Sequence, residues 1–293
     1  MEIRNGLFVY KNENCMKQMH DFYDKSLEAL NVEFEEMQVD TTYGKTHILI
    51  AGDRNKPMIC SIHGGNGIST LNLRIFKPLL NYYCIMSPDV IGMPGKSHPY
   101  RNLNTKKDDF AYWLREILDF LEIRSISFVV SSYSAAMLFS LAKVFPKRID
   151  KAALVVPSGL AHGPIIPIIG KMSIPFMKYY IKPSAKALKG ITEVMITESD
   201  EIWEEFFDLM MSSYKMEMRP PKEYTKKELC KFNSEVIIFA SNDDIFFPAD
   251  QVFKKSDQIL NIAPQKHYIK CKHLPSDSTM LDVCEKIHSF FGE

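Results

Sequence analysis

The 293-residue chain has six cysteines and no C-x-x-C pair: Cys15, Cys60, Cys84, Cys230, Cys271 and Cys284 are scattered along it. That spacing argues against a zinc site and a small disulfide scaffold, and reads as reduced, mostly buried thiols. Neither an H-E-x-x-H helix nor another compact ligand cluster is present, so no metal is expected. No G-x-G-x-x-G fingerprint or Walker loop follows an apolar run, so no nucleotide cofactor is expected either. An excess of charge is also lacking, since 36 basic residues balance 36 acidic ones. Nucleic acid and anionic membranes therefore have no overall electrostatic footprint to recognise, although a local patch can hide within the balance.

Long hydrophobic runs are missing too. No apolar stretch reaches the ~18 residues of a membrane span, and the nearest candidate, 163–177, is interrupted by Lys171, Pro164, Pro167 and Pro175. The start, Met1-Glu2-Ile3-Arg4-Asn5-Gly6, has no basic segment followed by an apolar stretch and a small-residue cleavage site, which makes a cytoplasmic location the expectation. Oligomeric state has no signature in the sequence.

What the chain does contain is a composition 46% hydrophobic and 25% charged, suited to a large buried core. Short apolar runs alternate with segments of helical period, the pattern of βα units around a mostly parallel sheet flanked by helices. Strands are expected at Met37–Thr41, His47–Ala51, Met58–Ile62, Tyr82–Met86, Ile126–Val130, Ala152–Val156, Val236–Ala240 and Tyr268–Cys271. Phe110, Trp113, Leu114, Ile117, Leu118 and Leu121 give one helix a single apolar face, whereas Ala135–Phe145 is apolar almost all round and is expected to be buried against the sheet. A last helix is expected over Met280–Phe291. Between about Ser158 and Cys230 the rhythm breaks into proline-rich, then Met-rich and aromatic sequence. The expected organisation is a core over 1–157 with an N-terminal helical extension of about 1–33, a helical lid over 158–230, and the rest of the core over 231–293.

Chemistry concentrates where strands end. Phe128-Val129-Val130-Ser131-Ser132-Tyr133-Ser134-Ala135-Ala136 passes from a strand directly into the buried helix, as a nucleophile elbow does. Small side chains are needed two residues either side of such a nucleophile, because strand and helix backbones approach closely there. Ser131 has Val129 and Tyr133 at those offsets and Ser132 has Val130 and Ser134, whereas Ser134 has Ser132 and Ala136, so Ser134 is expected to be the nucleophile. His63-Gly64-Gly65-Asn66-Gly67 follows another strand, and its glycines can leave N–H groups pointing into a cavity to hold an oxyanion. Asp243 and Asp244 both stand past the strand ending at Ala240, and either carboxylate could orient an imidazole. His273 follows the last expected strand, while His267 precedes it and should lie at the opposite edge of the sheet.

In this order the motifs resemble the α/β-hydrolase fold family: the H-G-G loop, then Asp89-Val90-Ile91-Gly92-Met93-Pro94-Gly95-Lys96-Ser97, similar to the family's D-x-x-G-x-G-x-S segment, then the Ser134 elbow, Asp244 with a proline four residues on, and His273. The Asp89 segment reads as a structural loop. Departures are Ser132 and Ala136 where the usual pattern has glycines. The resemblance implies Ser134 as nucleophile, His273 as general base and then acid, Asp244 rather than Asp243 as its partner, and the Gly65 and Ala135 N–H groups as the oxyanion hole, with no cofactor. Within the family the chain looks most like carboxylesterases, implying a small-molecule ester as partner and hydrolysis through an acyl-enzyme. The same triad could serve a thioesterase, C–C bond hydrolase, peptidase or perhydrolase, and a catalytically silent ligand-binding fold is the reading from another class. His63, Gly64, Asn66, Tyr133, Trp203 and Met210 are expected to line the substrate pocket, and the lid's store of Met and aromatic side chains points to uncharged, short to medium acyl groups.

Overall fold

The computed structural model describes residues 6–104 and 107–292; residues 1–5 of the expected N-terminal extension lie outside the described residues. A short strand β1 (Leu7–Phe8) leads to helix α1 (Glu13–Ala29), opened by Asn12, whose side chain accepts the Cys15 N–H at 2.9 Å. Strands β2 (Phe34–Thr41) and β3 (Gly44–Ala51) form an antiparallel hairpin. Then come β4 (Met58–Ile62), α2 (Ser69–Phe76), β5 (Cys84–Pro88), β6 (Tyr100–Arg101), α3 (Asp109–Phe120), β7 (Ile126–Ser131), α4 (Tyr133–Val144) and β8 (Ile149–Val155). The chain next leaves the sheet for α5 (Ile165–Ile168), α6 (Ile174–Ile181), α7 (Ala185–Met195) and α8 (Glu201–Ser213). It returns through β9 (Glu235–Ala240), α9 (Ala249–Ile259), β10 (Gln265–Tyr268) and α10 (Asp277–Gly292).

Eight strands make one sheet in the order β10-β9-β8-β7-β4-β5-β3-β2. From β10 to β5 every pairing is parallel, and β3 and β2 add antiparallel at the far edge. Burial on both faces explains the uninterrupted apolar runs. In β7, Phe128 and Val130 join the apolar cluster on one face while Val129 joins that on the other; in β9, Val236, Ile238 and Ala240 alternate in the same way with Ile237 and Phe239. Helix α3 buries Phe110, Trp113, Leu114, Ile117 and Leu118, and the Trp113 indole N–H donates to Thr46 Oγ1 at 2.8 Å.

The last strand differs from the sequence reading. It lies at Gln265–Tyr268, three residues before the expected Tyr268–Cys271, because an edge strand needs no apolar run: Gln265 and Tyr268 are exposed. His267 consequently sits within β10 rather than before it, its ring 5.2 Å from that of Phe239, and burial lowers its pKa.

The Asp89 loop is built around a buried carboxylate. Asp89 accepts the Ser69 N–H and the Lys96 N–H, each at 3.0 Å, and faces His47 Nδ1 at 2.9 Å, while Glu36 faces the other ring nitrogen at 3.0 Å. Gly95 is required there, since at φ +124° a Cβ would stand 2.7 Å from Asp89 Cγ. Burial alone would raise the Asp89 pKa, but the hydrogen bond and charge of His47, with further help from His63 and the Lys96 N–H, hold it below the usual carboxylate value. A depressed folded-state pKa contributes stability that is complete above the unfolded value and is lost as pH falls toward the folded one. Asp89→Asn is therefore expected to destabilise the fold by about 3–5 kcal/mol at neutral pH. The difference from wild type should shrink below about pH 4, where the unfolded carboxyl begins to protonate. Denaturant titrations from neutral to acidic pH check this; a pH-independent difference would contradict it.

Candidate active site

Strand β7 ends at Ser131 and α4 begins at Tyr133, so a single residue must reverse the chain. That residue is Ser132, at φ 55° and ψ −125°, a conformation an L-residue adopts only under constraint. The constraint is visible in its bonds. Ser132 N–H donates to Val155 O at 3.1 Å, and its carbonyl accepts the Ala135 N–H at 3.1 Å, the Ser158 N–H at 3.1 Å and the Ser158 hydroxyl at 2.8 Å.

From this turn the Ser132 Oγ reaches His273 Nε2 at 2.8 Å, and His273 Nδ1 lies 2.9 Å from Asp244 Oδ2. A carboxylate can only accept, so Nδ1–H donates to Asp244 and Nε2 is left to accept the Ser132 proton. Asp244 is fully buried, and its second oxygen accepts the Phe246 N–H at 2.8 Å; Asp243 is exposed. The rings of Phe246 and Phe247 stand 4.9 and 5.7 Å from the imidazole and shield it. Burial, with the Asp244 charge adding to it, pushes the neighbouring Cys271 thiol up to about 12, so it stays protonated.

Two sequence expectations are corrected here. Ser134 is fully buried and turned away from His273: its hydroxyl donates to Ser131 O at 2.7 Å and accepts the Ser131 N–H at 3.0 Å. Its smallness matters as the residue two positions after the turn, while Val130, two before it, is absorbed into the apolar cluster on one face of the sheet. Val130 points into that cluster, so a bulky side chain two residues before Ser132 is accommodated. The sequence signal for the turn is the end of the apolar run at Val130 followed so soon by the helix. The Ala135 N–H is already engaged with Ser132 O, so it is not available to an oxyanion. Tyr133 follows Ser132 and opens α4, where an N–H has no partner within its helix.

The glycine loop packs directly against the turn. A Cβ on Gly64 would stand 3.3 Å from Ser132 Cβ, and one on Gly65 would stand 3.0 Å from Tyr133 Cβ. His63, expected in the pocket, is instead buried, with both ring nitrogens engaged by backbone: Nε2 accepts the Val90 N–H at 2.9 Å, so Nδ1 donates to Gly64 O at 2.8 Å, and desolvation lowers its pKa. Asn66 holds the residue 217 backbone from both sides, donating to Glu217 O at 3.1 Å and accepting its N–H at 2.7 Å. Burial, then the charge of Glu217, push the Tyr133 phenol up to about 12. Trp203 is half-buried against Phe206 and Phe207, and Met210 is buried in the apolar cluster that also holds Met19 and Phe22; the described contacts bring neither to Ser132.

One residue without a sequence signal brackets the histidine. Thr197, just after α7, accepts the Lys272 N–H through Oγ1 at 2.9 Å and donates the same hydroxyl to Leu274 O at 2.7 Å. The Thr197 N–H also reaches Leu274 O at 3.0 Å, and the Leu274 N–H donates to Met195 O at 2.8 Å. Both chain neighbours of His273 are thus tied to the segment that leaves the sheet. Among the described residues, no group of three or more His, Cys, Asp or Glu side chains could hold a metal ion.

A family model for the alpha/beta hydrolase fold matches residues 57–174. The chain is similar to Carboxylesterase YbfK of Bacillus subtilis (strain 168), 28% identical over 139 residues that cover 46% of each protein. It thus spans about half the length of the curated relatives it matches. The crystal structure of carboxylesterase CesB (YbfK) from Bacillus subtilis has a TM-score of 0.81 at 18% identity, over 95% of this chain and 98% of that one. Naproxen esterase (carboxylesterase NP) from Bacillus subtilis gives 0.77 at 19%, over 94% and 97%. The chain has the α/β-hydrolase fold.

Because Ser132 alone among Ser131, Ser132 and Ser134 is bonded to an imidazole, a fluorophosphonate is expected to label Ser132. Peptide mapping by mass spectrometry checks this; label on Ser131 or Ser134 would contradict it.

Proposed function

We propose that the chain is a serine hydrolase of carboxylic esters, with Ser132 as nucleophile, His273 as general base and then acid, and Asp244 as the carboxylate that orients the imidazole. The observation that carries this reading is the 2.8 Å approach of Ser132 Oγ to His273 Nε2 from a backbone turn at φ 55°. The likeness to carboxylesterases supports it.

The chemistry follows from the groups present. His273 Nε2 takes the Ser132 proton as Oγ attacks the ester carbonyl, and the imidazolium formed is stabilised by Asp244. The carbonyl oxygen becomes an oxyanion, held by the N–H groups of Gly65 and Tyr133, a contribution of several kcal/mol in acyl transfer. His273 returns its proton to the departing alkoxide, leaving the acyl group on Ser132. Water, deprotonated by the same nitrogen, then attacks the acyl carbon, and the acid departs as the proton returns to Ser132. The excursion over 158–230 serves as a lid, and uncharged acyl groups are favoured, because a charge brought against the Phe246 and Phe247 rings would lose its hydration without a partner.

A panel of p-nitrophenyl esters of graded acyl length tests the reading. Turnover is expected for the wild type, with kcat/KM rising over the shorter chains, and loss is expected in Ser132→Ala but not in Ser134→Gly. Absence of esterase activity in the folded wild type, or activity that survives Ser132→Ala, would overturn it. Asp244→Asn should cost on the order of 10⁴-fold in kcat and Asp243→Asn little; equal losses would remove Asp244 from its role. Thr197→Val is expected to lower kcat with little change in KM, and Thr197→Ser to restore it. A Thr197→Val effect confined to KM would contradict a positioning role.

A further inference from the structure

The excursion between β8 and β9 carries a local charge that the balanced composition conceals. From residue 158 to 192 there are five lysines, Lys171, Lys178, Lys182, Lys186 and Lys189, and no aspartate or glutamate. Along the π turn Ile169–Ser173 and α6 the side chains separate into three stripes. Met172, Phe176 and Tyr179 face inward onto the apolar cluster, and the Tyr179 hydroxyl donates to Asp208 at 2.6 Å. Ile174, Met177 and Ile181, spaced i, i+3 and i+7, lie on the outside, with Ile181 79% exposed. Lys171, Lys178 and Lys182, spaced i, i+7 and i+11, run beside them, exposed and without an ion pair among the described residues. Ile166, 84% exposed, and the exposed Ile169 and Tyr180 extend the apolar surface.

Single exposed apolar side chains are ordinary, but a contiguous set on a helix already anchored by its other face is not. Its neighbours decide what covers it. A row of unpaired lysines along the apolar stripe suits a helix lying in the plane of an anionic bilayer, apolar side chains in the headgroup boundary and ammonium groups among the lipid phosphates. Among the described residues no helix is long and apolar enough to cross a membrane, so contact would be with the surface. We propose that the stripe formed by Ile174, Met177 and Ile181 with Lys171, Lys178 and Lys182 docks this protein on an anionic lipid surface. Docking would hold the candidate site near that surface: the Gly163 N–H, just before α5, donates to Phe246 O at 2.7 Å, and the Phe246 ring stands beside His273.

Sedimentation with phosphatidylcholine vesicles, with and without phosphatidylglycerol, tests the proposal on the full chain. Wild type is expected to sediment with the phosphatidylglycerol vesicles and to be released by salt. The triple variant Lys171→Gln/Lys178→Gln/Lys182→Gln should bind on the order of 100-fold more weakly, at about fivefold for each lysine near such a surface. Ile174→Ser/Met177→Ser/Ile181→Ser should also lose binding, with near-UV circular dichroism unchanged, because all six positions are exposed. No binding of wild type, equal binding to neutral vesicles, or binding unchanged in either folded variant would overturn the proposal. So would a concentration-dependent dimer that the Ile and Met substitutions abolish in a protein that does not bind vesicles, since the stripe would then be a contact between copies of this chain.

Discussion

The backbone of Ser132 is the constraint around which the rest of the site is arranged. Holding a non-glycine residue in so sparse a region costs about 1–3 kcal/mol, and four hydrogen bonds from β8, α4 and the loop at Ser158 maintain it. The return is orientation. With its side chain turned out of both strand and helix, the Ser132 hydroxyl meets an imidazole carried by a different part of the chain, and no large rearrangement is needed before a reaction at that atom.

Close approach of backbones follows from that turn. Gly64 and Gly65 leave room for the turn to lie against the loop after β4, Ser134 fills the space two residues on, and Gly159 allows the segment after β8 to pass α4, where a Cβ would stand 3.2 Å from Ala136 Cα. Polar groups behind the site serve this packing. His63 ties the glycine loop to Val90, and Val90 follows Asp89, whose buried carboxylate gathers Ser69, Lys96 and His47. The glycine loop and the Asp89 loop are therefore coupled through His63.

Much of this was legible in the sequence, where a physical rule acts locally. Strands buried on both faces announce themselves as apolar runs, as in Val236–Ala240, and a helix with one covered face shows the spacing of Phe110 to Leu118. Asp244 and His273 stand where strands of such a sheet deliver functional groups, and the structure brings those two side chains together. The neighbouring serines were less legible, because which one takes the turn depends on where the β7 ladder stops, a property of its pairing with β4 and β8 rather than of side-chain size. Polar β10 was displaced by three residues for a similar reason: its place is set by pairing with β9. The bracket that Thr197 forms around His273 spans 75 residues and leaves no local pattern to read.

The proposed chemistry requires Ser132 Oγ to face His273 on one side and the N–H groups of Gly65 and Tyr133 on the other. A crystal structure of the protein reacted with an alkyl phosphonate fluoride tests all of this at once, since the tetrahedral phosphorus stands in for the attacked carbonyl carbon. Continuous density is expected from Ser132 Oγ to phosphorus, with the phosphoryl oxygen accepting from the Gly65 and Tyr133 N–H groups and His273 Nε2 close to Oγ. An adduct on Ser134 or Ser131, or a phosphoryl oxygen directed away from both N–H groups, would contradict it.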